Sequence, residues 1–298
     1  MADKDVVGFI GVGVMGNPMA RHLMAQGWTI VAHDVNPVAM ANIVSAGALP
    51  ACNVRAVCDQ TDVVLTSLPS PTVFTQVMCG EGGIASSARA RVAVDLSTVG
   101  SRATKGAAAV LLENGIHLVD APVSGGLAGA ENRTLAVMAA GRPEVIERVR
   151  PLLEVFGRVF VVGQEAGQAQ LLKLLNNMLS STAFAVTSEA YVAGLRGGLD
   201  PRLMLDVFNA GSGRSGASQD KFPKHVLTGA FDFGFPVSSV CKDIGLAVDE
   251  CQALGVPMWI GGQARQLWLS ALLQGGPGRD MTELVQLVDA WSAKDSEP

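Results

Sequence analysis

Charged residues are scarce in this chain. They make up 16% of its 298 residues, against roughly 25% in an ordinary soluble protein. Apolar residues fill the deficit, at 49%. A chain this apolar can bury a large core, and the excess suffices to cover a contact between subunits. Positive charge is scarcer than negative: 22 Lys and Arg against 27 Asp and Glu leave a net charge of −5. That argues against nucleic acid and anionic membranes as partners, because an acidic protein offers them few cations. The five cysteines, Cys52, Cys58, Cys79, Cys241 and Cys251, include no CxxC pair and no Cys/His cluster. No metal site is expected, and reduced thiols in a cytoplasmic protein are. No apolar run approaches the roughly 20 residues that span a bilayer. The start, Met1-Ala-Asp-Lys-Asp5, lacks the basic region of a secretory signal. There is no repeat, low-complexity tract or long linker.

What is present is an alternation. Val6–Ile10, Trp28–His33, Val63–Ser67, Val92–Leu96 and Ile116–Val119 are short apolar runs. Asn17–Gln26, Val38–Ala46, Pro71–Met78 and Ser101–Asn114 between them carry helical patterns. Strands alternating with helices imply βαβ units, and continuous apolar strands imply a parallel sheet buried on both faces. Leu135–Ala139 and Val159–Val162 extend the same sheet. The rhythm then changes. Ala169–Gly194 reads as one long helix, and Pro201–Asn209, Ser238–Leu254, Pro257–Leu273 and Met281–Ser292 as further helices. Pro201 and Pro257 suit first-turn positions. The expected class is α/β: a Rossmann-type doubly wound domain over residues 1–163, then an all-helical domain over 164–298 that begins with a long interdomain helix. The tail Ala293–Pro298 is polar and reads as a frayed end.

Gly11-Val12-Gly13-Val14-Met15-Gly16 matches GxGxxG. The match gains weight from its setting, after an expected strand and at the start of an expected helix. Gly11 permits the tight turn, Gly13 the approach of a pyrophosphate, and Gly16 close packing of helix on strand. The helix N-terminus adds N–H donors and a partial positive charge. Asp34 stands at the end of the second strand, 18 residues past Gly16. Its carboxylate suits ribose hydroxyls and repels a 2′-phosphate, and no Arg or Lys in Val35–Val54 offsets that. The cofactor expected is NAD rather than NADP. FAD sites share the fingerprint, usually in longer chains.

Several stretches resemble the β-hydroxyacid dehydrogenases, a family that includes 3-hydroxyisobutyrate dehydrogenase, tartronate semialdehyde reductase and L-threonate dehydrogenase. They are Gly8–Gly16, Leu68-Pro69, Asp95-Leu-Ser-Thr98, Asp120-Ala-Pro-Val-Ser-Gly-Gly126, Lys173-Leu-Leu-Asn-Asn177 and Lys242-Asp243. The resemblance implies a Rossmann domain, a long linking helix and a helical domain, and a homodimer or homotetramer. It makes Lys173 the catalytic lysine, general base for oxidation and general acid for reduction. The i, i+4 spacing puts Asn177 on the same helix face, where an amide can hold the substrate hydroxyl; Asn176 is the alternative by spacing. Ser124-Gly125-Gly126 becomes the clamp for a small-molecule carboxylate, through backbone N–H groups and a hydroxyl. The bland alternative for it is a plain turn between two strands. Leu68, Pro69 and Thr98 follow strands at the carboxyl edge, where open α/β sheets bind ligands, and would line the nicotinamide. Lys242 would close over cofactor and substrate, oriented by Asp243.

The chain departs from the family pattern in places. Arg133 stands where Gly is usual, Ala169 replaces a second Gly, Gly100 stands where Pro is frequent, and Ser239 replaces a Leu. None removes a reacting group; Arg133 and Ser239 bear on pocket shape. The polar loop Asn209–Ser215 offers Arg214 as a second anion contact or is a plain interhelix loop. His22, His33, His117 and His225 show no triad or metal spacing. The expected activity is reversible, NAD-linked hydride transfer between a 3-hydroxyisobutyrate-like acid and its semialdehyde. Tartronate semialdehyde reductase and L-threonate-type activities are the alternatives. An imine or ketone reductase commonly replaces the lysine. Decarboxylating 6-phosphogluconate dehydrogenase has a far larger helical domain. A catalytically silent NAD-binding module would have no use for Lys173, Asn177 and Ser124 together.

Overall fold

The structure is a computed structural model and describes residues 6–292. The tail Ala293–Pro298 lies outside the described residues. The chain divides into two compact units, Met1–Lys173 and Leu174–Pro298.

The first unit alternates strands and helices: β1 (Val6–Ile10), α1 (Gly16–Ala25), β2 (Thr29–His33), α2 (Pro37–Ser45), β3 (Leu49–Pro50), α3 (Val54–Cys58), β4 (Val63–Thr66), α4 (Pro71–Cys79), β5 (Val92–Asp95), α5 (Ser101–Glu113) and β6 (His117–Asp120). Then come β7 (Val123–Ser124), α6 (Gly126–Asn132), β8 (Leu135–Ala140), α7 (Pro143–Leu153) and β9 (Gly157–Gly163). The nine-stranded sheet runs β3-β2-β1-β4-β5-β6-β8-β7, with β9 also on β8. Strands β1 to β6 pair parallel, and β8 runs antiparallel to β6 and β7. The order 3-2-1-4-5-6 is the doubly wound one, whose crevice opens where β1 and β4 part. Successive strand residues serve opposite faces. Phe9, Leu65, Val94 and Val119 enter one core, and Ile10, Val64, Ala93 and Leu118 the other. That double burial explains why the strands are apolar throughout rather than alternating.

The second unit is helical. It takes most of α8 (Gln168–Arg196), then α9 (Pro201–Ala210), α10 (Val237–Ala253), α11 (Trp259–Gly275) and α12 (Leu284–Trp291). A π-helical stretch, Ala217–Val226, lies between α9 and α10. Its core is aromatic: Phe184 sits 5.2 Å from Phe222 and 6.4 Å from Trp268, ring centre to ring centre. Pro201 opens α9 behind the Asp200 cap, as its fixed φ favours. Pro257 does not open α11; it precedes the N-cap Met258. The stretch expected as one helix from Met281 begins with a 3₁₀ turn, Met281–Glu283, under an Asp280/Glu283 capping box. Helices α3, α6 and α7 and the π-helical stretch form where the sequence pattern predicts none. Helix α7 lies among Gly141, Pro143, Pro151 and Gly157, whose turn signals mask an amphipathic pattern. The π-helical stretch contains Pro223, and a wide helix matches neither a 3.6-residue nor a 2-residue period.

Candidate active site

The glycine loop leaves β1 at Gly11, whose φ is +86°. A Cβ there would collide with the Ser67 carbonyl, and one on Gly16 with the Gly11 carbonyl. A Cβ on Gly13 would meet nothing within 4 Å, so that side of the loop is open. Helices α2, α3 and α4 start on side-chain caps from Asn36, Asn53 and Ser70. Helix α1 has none: its N-cap is Met15, and its first turn carries no acid. An uncapped N-terminus beside an open glycine is the arrangement that a pyrophosphate requires. Val14 is exposed, and the Val12 side chain is fully buried. The Val12 N–H donates to Asp34 Oδ2 at 2.8 Å, and the Asn36 N–H to Asp34 Oδ1 at 2.8 Å. Asp34 therefore ties the loop to the end of β2. Each carboxylate oxygen has two acceptor sites, so capacity for ribose hydroxyls remains. The residues present fit a dinucleotide.

The carboxyl ends of β4, β5 and β6 carry a buried network that sequence reasoning left without a role. Asp95 Oδ1 accepts from Thr66 Oγ1 at 2.7 Å and Ser97 Oγ at 2.6 Å. Ser97 Oγ accepts from the Leu68 N–H at 2.8 Å, which fixes the half-buried Leu68 and exposed Pro69 after β4. Gln170, fully buried at the start of α8, accepts from the Val99 and Gly100 N–H groups at 2.9 and 3.1 Å. Its Nε2 donates to the Ser97 carbonyl at 2.9 Å, clamping the turn that holds Thr98. Asp120, the register partner of Asp95, accepts from the Gly167 and Gln170 N–H groups at 2.8 and 3.1 Å. Burial pushes its carboxyl up to about 7, and the Asp95 charge adds to the rise. This network anchors the first turn of α8. Lys173 follows Gln170 by three residues and is itself only 7% exposed. The signal was available, since Asp95 and Asp120 both end apolar strands, where a carboxylate must find partners.

Ser124 ends β7, and Gly125 and Gly126 follow at φ +138° and +65°. The segment is a strand-to-helix turn, not a turn between two strands. Both glycines are exposed, so the backbone there is open to a ligand. Arg133 adopts the left-handed conformation, φ 60°, at the end of α6, and its Nε donates to the Val155 carbonyl at 3.0 Å. The residue thus keeps a glycine-like backbone, and its side chain is tied to the loop before β9. Gly100 has φ +90°, which a proline, locked near −65°, cannot adopt. Ala169 is fully buried beside Met138 and Ala140.

In the helical unit, Asn177 is half-buried and its Nδ2 donates to Asp243 Oδ2 at 2.6 Å. Asp243, 3% exposed, also ion-pairs with Lys242, Nζ to Oδ1 3.1 Å. Asn176 is exposed, and its Nδ2 lies 3.4 Å from Asn177 Oδ1. Ser239 is half-buried near the start of α10, and Arg214 is exposed. His22 and His33 contact backbone carbonyls, and His225 pairs with Asp232 at 2.6 Å. All five cysteines are free. Among the described residues no group of three His, Cys, Asp or Glu gathers as metal ligands. No described helix is long and apolar enough to cross a membrane.

Comparison with known proteins adds the following. A profile described as the NAD binding domain of 6-phosphogluconate dehydrogenase matches residues 6–163. One described as NAD-binding of NADP-dependent 3-hydroxyisobutyrate dehydrogenase matches residues 167–288. The chain is 36% identical to 2-(hydroxymethyl)glutarate dehydrogenase of Eubacterium barkeri, over 94% of each chain. It is 33% identical to mitochondrial 3-hydroxyisobutyrate dehydrogenase of Mus musculus, over 96% of this chain and 88% of that one. Its fold superposes on Mycobacterium tuberculosis 3-hydroxyisobutyrate dehydrogenase with L-serine at a TM-score of 0.86, with 27% identity, covering 96% and 99% of the two chains.

Proposed function

The chain belongs to the β-hydroxyacid dehydrogenase family, and on that premise we propose that it interconverts a small 3-hydroxy carboxylate and its semialdehyde with NAD. The observation that carries this reading is the buried Lys173, set one residue triplet past the clamped Gln170 on α8. Burial shields the amine from bulk water, and an amine can act in turn as general base and general acid. In oxidation its neutral amine takes the proton of the substrate hydroxyl; in reduction its ammonium returns it. Asn177, steadied by Asp243, holds the hydroxyl oxygen. The Ser124-Gly125-Gly126 turn takes the substrate carboxylate on backbone N–H groups and the serine hydroxyl. The loop Gly11–Gly16 binds pyrophosphate, Asp34 the ribose, and Leu68, Pro69, Thr98 and Lys242 the nicotinamide end. When bound, the nicotinamide supplies the hydride acceptor or donor. The preference for NAD over NADP rests on Asp34, whose charge opposes a 2′-phosphate.

The same reading makes the protein a cytoplasmic homodimer or homotetramer. Leu179, Val186, Trp259, Ile260 and Leu273 are 57–86% exposed in the single chain, and such residues supply an apolar contact. The test is a spectroscopic assay of NADH with a panel of 3-hydroxy acids and their semialdehydes. Turnover with at least one of them is expected, faster with NAD than with NADP. The Lys173→Ala variant should lose about 10³-fold in kcat. No turnover across the panel, or a variant that keeps most of kcat, would refute the reading.

A further inference from the structure

Lys221 is not used by the mechanism above, and its surroundings are unusual. It lies in the π-helical stretch Ala217–Val226 and is 7% exposed. Its Nζ donates to Ser180 Oγ at 3.0 Å and stands 5.0 Å from the centre of the Phe233 ring. Among the described residues it makes no ion pair; the adjacent Asp220 pairs with Lys224 instead. A hydroxyl takes one of its three N–H donors, and a ring face takes part of its charge. A buried ammonium left without an anion is costly, and burial accordingly lowers the Lys221 pKa. Proteins keep such a group where a ligand supplies the missing charge. π-Helical turns, which displace side chains from the ordinary helical register, recur at functional sites.

The position of that amine says which part of a ligand it meets. Ser180 follows Asn177 by three residues on α8, so both face the same side, about 4.5 Å apart along the axis. Asn177 holds the substrate hydroxyl in the function proposed above, on which this inference rests. The primary carboxylate there belongs to the Ser124-Gly125-Gly126 turn. With the primary carboxylate assigned to that turn, an anion bound by Lys221 is a second one, and the substituent at the branch carbon is the part of the substrate left to carry it. We infer that Lys221 is a specificity residue that binds a second carboxylate, and that the preferred substrate class is a 3-hydroxy diacid whose side group ends in that carboxylate. Two methylenes between the branch carbon and the second carboxylate span a distance of this order. A hydrogen-bonded charge pair formed out of water is strong enough to dominate the choice between diacid and monoacid.

The test compares kcat/KM for 2-(hydroxymethyl)glutarate and 3-hydroxyisobutyrate in the wild type and in Lys221→Met. The wild type should prefer the diacid. The variant should lose about 100-fold on the diacid and stay within about threefold on the monoacid, which also certifies its fold. An equal fall on both acids, or no change on either, would overturn the inference and leave the dehydrogenase reading standing. Turnover of no 3-hydroxy acid by the wild type would instead remove the reading beneath it. A second measurement needs no variant: glutarate should bind the NAD-loaded wild type at least about tenfold more tightly than butyrate, by calorimetry. Equal binding of the two would overturn the inference as well.

Discussion

In the sheet unit, Gln170 spends its oxygen on two backbone N–H groups and its amide on a carbonyl. Asp120, also fully buried, takes two more N–H groups on one oxygen. In the helical unit, Lys221 is buried to a similar degree, with a hydroxyl and a ring face for company. The first pattern is that of a scaffold: most of its polar atoms are satisfied by the chain itself, Asp120 Oδ1 excepted, and they hold strand ends and the start of α8 in register. The second leaves an electrostatic demand open. Buried polar groups that the fold satisfies add stability, and those that it leaves wanting are kept for a ligand at some loss of stability. Substitutions in the first region should therefore act on unfolding, and in the second on substrate choice.

Three measurements of stability break or sharpen that contrast. The largest effect belongs to Gln170→Ala. It strands the Val99 and Gly100 N–H groups and the Ser97 carbonyl, and should cost about 3 kcal/mol in denaturant unfolding. A loss under about 1 kcal/mol would show that the network is not structural. Asp120→Asn comes next and is read against pH. The folded carboxyl titrates near 7 rather than at its ordinary 3.8, so between those values the folded state holds a proton that the unfolded chain has released. Stability from this group is therefore greatest at the acidic end of that window and falls as pH rises toward 7. The wild type should lose on the order of 2 kcal/mol between pH 5 and pH 8 relative to the asparagine variant, which has no such proton. Parallel curves for the two proteins would refute the assignment. The smallest effect is expected for Lys221→Met. Replacing a buried, unpaired ammonium with an apolar side chain of similar length should leave stability unchanged or raise it by about 1 kcal/mol. A large loss on thermal unfolding would make Lys221 part of the scaffold and erase the contrast.

What was legible in the sequence follows the range of the interactions. The glycine loop, Asp34 and the strand-helix rhythm are local patterns, and the structure places them within a residue or two of their expected bounds. Arg133 is instructive in between. Its departure from glycine is visible in the sequence, but only the φ of 60° and the bond to Val155 show that the backbone conformation is retained. The Gln170 and Asp120 contacts join residues 47 to 73 positions apart. The Lys221 contact with Ser180 joins residues 41 apart. No spacing rule reaches that far.

By itself the sequence determined the doubly wound sheet, the dinucleotide loop with its acid, and the family, because each is written in short-range periodicity or in contiguous motifs. Tertiary structure decided which buried polar groups are satisfied and which are not. It paired Asp95 with Asp120, joined Asn177 to Asp243, and buried Lys221 with no ion pair among the described residues. The reason is physical: a side chain's partner and its access to water depend on elements brought together only by folding, and those two quantities set what its charge can do.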